Sequence, residues 1–427
     1  MTSPLFQSVL LAQESQEPEP ETRFGGHPRA RPKLTGDWGG VRTNWAEHGL
    51  TLDLDATYTF QAVVGGGAKG PAFEARSNED DTGHTLSGDL RVSLDTGKAG
   101  LWDGGSFDAR ADGRYGRSVL QRAGSVSAVN NDALFPNVVD RFDQGAAALT
   151  GLTFTQSLGE RFALVAGLLN PAEGDENEIA GAALSNHTFL NSAMLYSLVE
   201  DATVPNVSLG GGAMYESGRV SGSISVFGSS ETAGENPFSH WHGTTFSTEL
   251  TIGHSISDRP GAQTIGFLYG RNARRTDIAA DPRRMLFALL RGQPVPQTDA
   301  DTWAFYYNAH QFLSGDEKGG WGPFVRFGIS DGSPNPVKWN AALGLGGLGL
   351  IPGRPDDRWG LGAFYLGMSN EALLKALRVG NEIGGDIFYN VAVTPWFRVT
   401  LDAQVVDPAL PGSDTAWVVG VRTSFVF

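Results

Sequence analysis

Charged side chains recur at every second position in three stretches near the start of the chain. Asp53 and Asp55, then Asp89 and Arg91, then Asp108, Arg110, Asp112 and Arg114 alternate with apolar or small residues. A backbone that sends alternate side chains to opposite faces gathers these carboxylates and guanidiniums on one surface. Glu249, Arg326, Arg398 and Asp402 follow, each on the polar parity of its own stretch. Guanidinium forks and carboxylates offer donors and acceptors to a ring of hydroxyls, and no nucleophile is needed for that. Mixed signs disfavour strong ion selectivity and suit a neutral polyol. Trp38 adds an aromatic face that would stack on the apolar face of a pyranose, provided the helix carrying it enters the same space. The competing reading of each of these residues is a charge ladder that solvates a polar face and stiffens it.

Other constellations fare worse. Glu173, Asp175, Glu176 and Glu178 cluster around Asn177, but the loop spacing, central glycine and terminal glutamate of a calcium loop are missing, so a solvated acidic loop is the simpler reading. His240 and His242 flank Trp241 with no third ligand nearby. No G-x-S-x-G occurs, and nothing selects a hydroxyl nucleophile to pair with His254 or His310. Residues 344–349 (GLGGLG) superficially match a dinucleotide fingerprint, yet they lie in a strand pattern with no helix after it. No metal or cofactor is expected. The chain has 0 cysteines, which removes disulfides and thiolate ligands and suits passage through an oxidising compartment. A net charge of -15 argues against a nucleic-acid partner.

The elements that must position the charged residues are strands. In residues 50–61 the even positions Leu50, Leu52, Leu54, Ala56, Tyr58 and Phe60 are apolar and the odd ones polar, and 86–95 and 107–116 repeat the alternation. Further candidates are 148–156, 162–168, 207–215, 220–227, 244–252, 263–269, 303–312, 321–329, 339–351, 359–365, 387–393, 397–405 and 415–427, sixteen in all. Alternation alone establishes only an amphipathic sheet, which a soluble sandwich also provides. The connections add what alternation lacks. Those near 158–160, 216–218, 257–261, 314–319, 352–357 and 394–395 are tight, whereas 63–83, 117–143, 170–205, 229–243, 270–301 and 368–382 are long. Short turns on one rim and long loops on the other are the arrangement of outer-membrane barrels, with the short turns facing the periplasm.

Composition agrees with a strand-built membrane protein. The 427 residues include 57 glycines, 24 phenylalanines and 10 tryptophans, with 40% hydrophobic residues, and the mean hydropathy is -0.19. No apolar run is long enough for a spanning helix, so any crossing must be made by strands that are only half apolar. Trp303, Tyr307, Trp321, Trp339, Trp359 and Trp417 fall near strand ends, where interfacial belts need them. Phe425 and Phe427 end an amphipathic strand on aromatic residues, the form of end that barrel-assembly machinery reads. Residues 1–33 read as a disordered lead or signal-peptide remnant: 4–12 (PLFQSVLLA) has the end of a secretory apolar region without a preceding basic residue. Residues 34–49 break the strand pattern, with Asp37 able to cap a short helix from about Trp38 to Glu47 and Gly49 ending it. We expect this segment to plug the periplasmic mouth, and residues 50–427 to form the barrel.

Several blocks then match a known family. Residues 34–42 (LTGDWGGVR) with the helix and Gly49 after them, 102–105 (WDGG), 170–178 (NPAEGDENE) with Phe189 and Asn191, 348–357 (LGLIPGRPDD), 388–404 (FYNVAVTPWFRVTLDAQ) and Phe427 together resemble the carbohydrate-selective porins of the OprB family. The resemblance implies a monomeric sixteen-stranded all-β transmembrane antiparallel barrel in the outer membrane, passing mono- or small oligosaccharides. Residues 270–301, with Arg271, Arg274, Arg275, Arg283, Arg284 and Arg291, match no family block. The alternatives are a barrel enzyme acting on envelope lipids and a soluble all-β carbohydrate-binding protein. A wide barrel needs a narrowed lumen to select, and the expected constriction residues are Trp38, Asp89, Arg91, Asp108, Arg110, Arg114, Glu249, Arg326, Arg398 and Asp402. The expected partners are a carbohydrate solute, outer-membrane lipid and the assembly machinery. Removing Phe427 should lower surface yield while leaving lumen chemistry intact, and a normal yield would count against the role given to that strand.

Overall fold

In a computed structural model of the chain, residues 24–68, 81–134, 146–201, 203–230, 242–284, 296–316 and 319–427 are described. The leading segment 1–23, with its signal-like stretch, lies outside them, as do His240 and Trp241. From Leu50 onward the two-residue period produces one antiparallel sheet. Its strands are β1 (Leu50–Ala68), β2 (Thr82–Asp95), β3 (Gly105–Arg117), β4 (Ala146–Leu158), β5 (Phe162–Leu169), β6 (Ser208–Ser217), β7 (Val220–Gly228), β8 (Thr244–Ile256) and β9 (Arg259–Thr276). They continue as β10 (Gln297–Gln311), β11 (Ser314–Asp316), β12 (Gly319–Ser330), β13 (Val337–Leu348), β14 (Arg358–Met368), β15 (Glu382–Thr394), β16 (Phe397–Asp407) and β17 (Ser413–Val426). The three-residue β11 prolongs β10 beyond a break, and both pair with β12, so 17 strands fill sixteen places in the wall. Pairing of β17 with β1, from Asp55↔Val426 to Ala68↔Ser413, closes the barrel.

Each expected strand overlaps one wall place, and the differences have physical reasons. Residues 270–276 and 297–301 do not form loop. They extend β9 and β10 as a paired arm, in which Arg274 faces Asp299 and binds it at 2.9 Å, so charge alternation mimics a loop while supplying a cross-strand pair. The expected turn at 314–319 is likewise mostly hairpin, since Ser314 pairs with Trp321 and Gly315 with Gly320.

The wall faces as its alternation requires. Leu86, Phe107, Leu164, Ile224, Phe246, Phe327, Leu343, Leu361, Leu401 and Trp417 are exposed on the outside, while Arg110, Arg326, Glu382, Asp402 and Arg422 are buried within. That is the inverse of a water-soluble sheet protein. An apolar exterior drawn from strands all round the wall needs hydrocarbon around it. Aromatic pairs brace the exterior, with Phe397 stacked on Phe425 at 4.7 Å and Trp339 on Tyr365 at 4.7 Å.

The leading segment seats on the short-turn rim. Leu34 N–H donates to Val426 O at 2.8 Å, continuing the edge of β17. Asp37 accepts from the Thr43 N–H at 2.8 Å and so caps the helix α1 (Val41–Glu47) from outside its first turn. Arg42 is 3% exposed; it bonds the carbonyls of Leu52 and Phe427 and carries Phe24 and Trp38 against its guanidinium plane. Gly49 ends the helix at φ +83, with Asp95 O where a Cβ would stand.

A barrel this wide cannot be filled by its own inward side chains. The connection between β5 and β6 does the filling. It enters the lumen and buries Ile179, Phe189, Leu190, Met194, Leu195 and Val199 against the inner face of β12 to β15, each such burial contributing about 1.5–3 kcal/mol. Room for them exists because that face carries glycines. A Cβ on Gly328 would lie 2.6 Å from Val199 Cγ2, one on Gly360 2.6 Å from Phe189 Cζ, and one on Gly362 would collide with Met194 Cε. The 344–349 glycine run belongs to this bed, with Gly346 beneath Ile179. Gly362→Leu should therefore dislodge the loop. We expect a heat-modifiable, correctly inserted barrel with a larger and noisier single-channel conductance, and a parental conductance would mean that the wall yields instead.

Candidate functional site

Polar anchors fix the course of the inward loop. Arg326 on β12 is wholly enclosed, pairs with Asp175 Oδ2 at 2.7 Å, and donates to Asp175 O at 2.9 Å and Gly181 O at 2.7 Å. Asp175 also accepts from Ser197 N–H at 2.8 Å and Asn308 Nδ2 at 2.9 Å, so neither charge is left bare. Farther along, Asp386 accepts from the N–H groups of Leu190 and Asn191 at 3.1 and 2.9 Å, and Arg422 donates to Thr188 O at 2.6 Å. A second inward segment, 118–134, braces the first. Asn131 N–H donates to Leu190 O, and Ser192 N–H to Ala128 O, each at 2.9 Å. Its own anchor is the Glu382 carboxylate, which accepts from Ser125 Oγ, Val126 N–H, Ser127 N–H and Ser127 Oγ at 2.6–2.9 Å.

With the loop pressed onto β12 to β15, open space remains along the other side, β2 to β9. There Gly151, Thr153, Thr155, Gly212, Ser223, Ser225 and Ser247 line a cavity of about 280 Å³, beside the apolar Val165, Met214, Phe227 and Leu268. Facing this hydroxyl wall are Arg91, Asp108 and Arg110, and the loop contributes Glu173 and Glu176. Arg91 and Arg110 reach one oxygen of Glu173 at 3.0 and 3.6 Å. Arg110 Nε also binds both oxygens of Asp112, at 2.9 and 2.8 Å. Arg114 pairs with Asp89 at 2.9 Å and Asp132 at 3.3 Å, tying the wall to the second segment. Asp108 accepts from Ser93 Oγ at 2.6 Å. Across the cavity the Tyr306 hydroxyl donates to Glu249 Oε2 at 2.7 Å, and the same oxygen takes the Asp175 N–H at 3.2 Å. Tyr306 lies flat over Gly266, whose missing Cβ leaves space for the ring.

The loop carboxyls are electrostatically unusual. Lumen water reaches Glu176, yet enclosure by the wall, followed by the Glu178 and Glu249 carboxylates, pushes its carboxyl up to about 7 against the pull of Arg326 and Arg358. Glu200 is pushed well above the ordinary carboxyl range by enclosure and then by Asp175 and Glu249.

Among the expected site residues, the structure brings Arg91, Asp108, Arg110 and Glu249 together on the cavity. Asp89 and Arg114 stand beside them as ion-pair partners. Arg326 and Asp402 face inward as expected but lie beneath the loop. Arg326 holds its backbone, and Asp402 accepts from Gln404 Nε2 at 2.9 Å. Arg398 sits near the short-turn rim, donating to Asp356 O at 3.0 Å and Asn390 Oδ1 at 2.9 Å. Trp38 packs edge-on to Trp45 at 5.9 Å and against Arg42 on the same rim, apart from the cavity. Phe425 faces outward on Phe397, and Phe427 N–H donates to Leu54 O at 2.8 Å. Sequence reasoning missed Glu173 and Glu200, Tyr306 and the serine wall as lining. The signal available was the apolar run 189–199 inside a connection, which has to be buried somewhere.

A second cavity, of about 420 Å³, lies toward the long-loop rim. It shares Pro171, Gly174, Leu184, Glu200 and Val204 with the first, so the two adjoin. Tyr196, Asp201, Asn131, Asn206 and Arg275 complete it. Among the described residues no group of three or more metal-ligating side chains is assembled, and the acidic 173–178 segment serves instead as loop anchor and lining.

Comparison with known proteins follows from this geometry. A family model described as carbohydrate-selective porin, OprB family, matches residues 83–427. The high-pH structure of Pseudomonas putida OprB is similar, with a TM-score of 0.76 at 18% identity over 93% of this chain and 99% of that one. Its low-pH structure gives a TM-score of 0.57 at 16% identity over the same shares. The outer-membrane channel DcaP of Acinetobacter baumannii gives 0.50 at 10% identity, over 88% of this chain and 97% of that one. At these identities the structural likeness is one of fold. No curated protein matches the chain.

Replacing Arg326 by Met removes the cation from an enclosed carboxylate. Breaking one side of such a pair costs about 3–5 kcal/mol. The expected outcome is loop cleavage near residues 175–200 by added protease in a barrel that stays folded, and resistance equal to the parent would refute the anchor.

Proposed function

We propose, from the premise that this chain belongs to the OprB family of carbohydrate-selective porins, that its selectivity arises on one side of the lumen only. The protein is an outer-membrane β-barrel channel for carbohydrate diffusion, and solute moves down its gradient. The finer reading is that sugar slides between the Arg91–Arg110–Glu173 rung and the serine and threonine wall, with Glu249 and Tyr306 opposite. The observation that carries it is the asymmetry of the barrel: glycines on β12 to β15 accept the loop, and small hydroxylic residues on β4 to β8 leave the path.

Each contact in that path is suited to weak, repeated exchange. Guanidinium N–H groups donate to hydroxyl oxygens, carboxylates accept from hydroxyl hydrogens, and the wall hydroxyls do either. A passing solute therefore trades hydration for several modest bonds and is not trapped. Mixed charge in the rung keeps the local potential low and favours a neutral polyol over an ion. The apolar exterior on all sides supports a monomeric barrel in lipid, and the α1 segment, held by Arg42 at the periplasmic rim, is read as a plug that narrows the mouth.

Liposome swelling with monosaccharides, disaccharides and an anionic solute tests the reading. Neutral sugars should enter fastest and the anion slowest, and equal rates would refute selectivity. Arg110→Ala and Arg91→Ala should widen the path and weaken sugar block of the bilayer current without disturbing insertion; an unchanged block would assign those residues to wall stiffening. Ionic preference should also titrate. As pH rises through about 7, Glu176 and Asp201 ionise and the lumen gains negative charge, so the reversal potential in a salt gradient should move toward cation preference, and Glu176→Gln should reduce that movement.

A further inference from the structure

We infer that the outer cavity is a second saccharide subsite, one that holds a neutral pyranoside before it reaches the rung below. The inference rests on the diffusion reading above and adds a place where the solute pauses. Its volume of about 420 Å³ falls within the range of about 300–1,000 Å³ typical of small-ligand sites.

The lining is built for the two faces of a sugar ring. Tyr196 and Val204 pack against the buried core of the barrel, and with Pro205 they give a rigid apolar floor. A cyclic sugar has an apolar face of C–H groups that fits such a floor. Around it stand Asp201, Arg275 and Asn206, offering a carboxylate, a guanidinium and an amide to the hydroxyl rim. Glu200 lines the cavity as well, so its two acids and one arginine are mixed in sign, which suits a hydroxyl-rich ligand over a strongly charged one.

Rigidity separates this cavity from a mere widening of the channel. Tyr196 directly follows the helical turn Ser192–Leu195, all four residues of which are buried. Its hydroxyl lies 3.5 Å from Asp201 Oδ2. Arg275 is steadied by donation to Ser229 O at 3.0 Å. The ring, the carboxylate and the guanidinium are therefore set before a ligand arrives, which lowers the ordering cost of binding.

Block of single-channel current by maltose, with sorbitol as the acyclic comparison, tests the subsite in the full-length protein. Tyr196→Ala should raise the half-blocking maltose concentration about five-fold, the size of one lost aromatic stacking contact, while Tyr196→Phe keeps the parental value and sorbitol is indifferent to both. A parental value for Tyr196→Ala, with block still weakened by Arg110→Ala, overturns the subsite and leaves the diffusion reading standing. Absence of any maltose block in the parent, at concentrations where sorbitol also has none, overturns both. Should Tyr196→Ala change the salt conductance, and so show a moved loop, Asp201→Asn decides: a half-blocking concentration at least doubled supports the subsite and an unchanged one overturns it.

Discussion

The ion pair between Arg326 and Asp175 sets the width of the lumen. Neither side chain touches solvent to a meaningful extent, at 0% and 1% exposure, and two desolvated charges are a net cost unless every remaining donor and acceptor is engaged. Here Ser197 N–H, Asn308 and the carbonyl of Gly181 complete most of the set. The pair fixes where the loop turns back, and that turn places Glu173 against Arg91 and Arg110 while leaving Glu249 within reach of the Asp175 N–H. Wall, loop and rung are thus one network, in which the loop's backbone is as much a ligand of the wall as its side chains are.

The inward loop also answers a packing question that a bare cylinder leaves open. Sixteen strands enclose more volume than their inward side chains can occupy, so the interior needs a filler that is apolar toward the wall and polar toward water. The loop meets both demands by sequence alternation between short segments: Phe189, Met194 and Val199 go to the wall, and Glu173, Glu176 and Glu200 go to the channel. The filler seats where Gly328, Gly346, Gly360 and Gly362 leave room for Val199, Ile179, Phe189 and Met194. The opposite wall carries serines and threonines among its apolar residues and is left to the channel.

Much of this was legible in the sequence, and what was not has a clear cause. Strand positions, the facing of Arg110 and Leu54 and the place of the paired ladder on β2 and β3 follow from period two, which is local, and the barrel from the sorting of short turns and long loops to opposite rims. The course of 170–207 does not, because it depends on contacts with residues more than a hundred positions away. Arg326, Asp402 and Arg398 were placed on the right face, yet facing inward does not separate a residue under the loop from one beside the path. Glycine at 328, 346, 360 and 362 carries that information, but a lone glycine in a strand reads as weakness until its neighbour across space is known. Residues 270–276 failed for the opposite reason: charged and exposed, they look like loop while extending a hairpin.

The seam between β1 and β17 has a consequence for how the sheet comes into being. These are the strands most distant in sequence, yet they match residue for residue from Asp55↔Val426 to Val63↔Val418, and continue past two register shifts to Ala68↔Ser413. Until β17 docks, β1 and β16 each present a row of unsatisfied backbone groups beside a greasy outer face, a combination that invites pairing with any neighbouring chain. Any state in which this seam is open therefore leaves two naked edges available to other chains, and shielding them until the wall closes is a physical requirement of the topology.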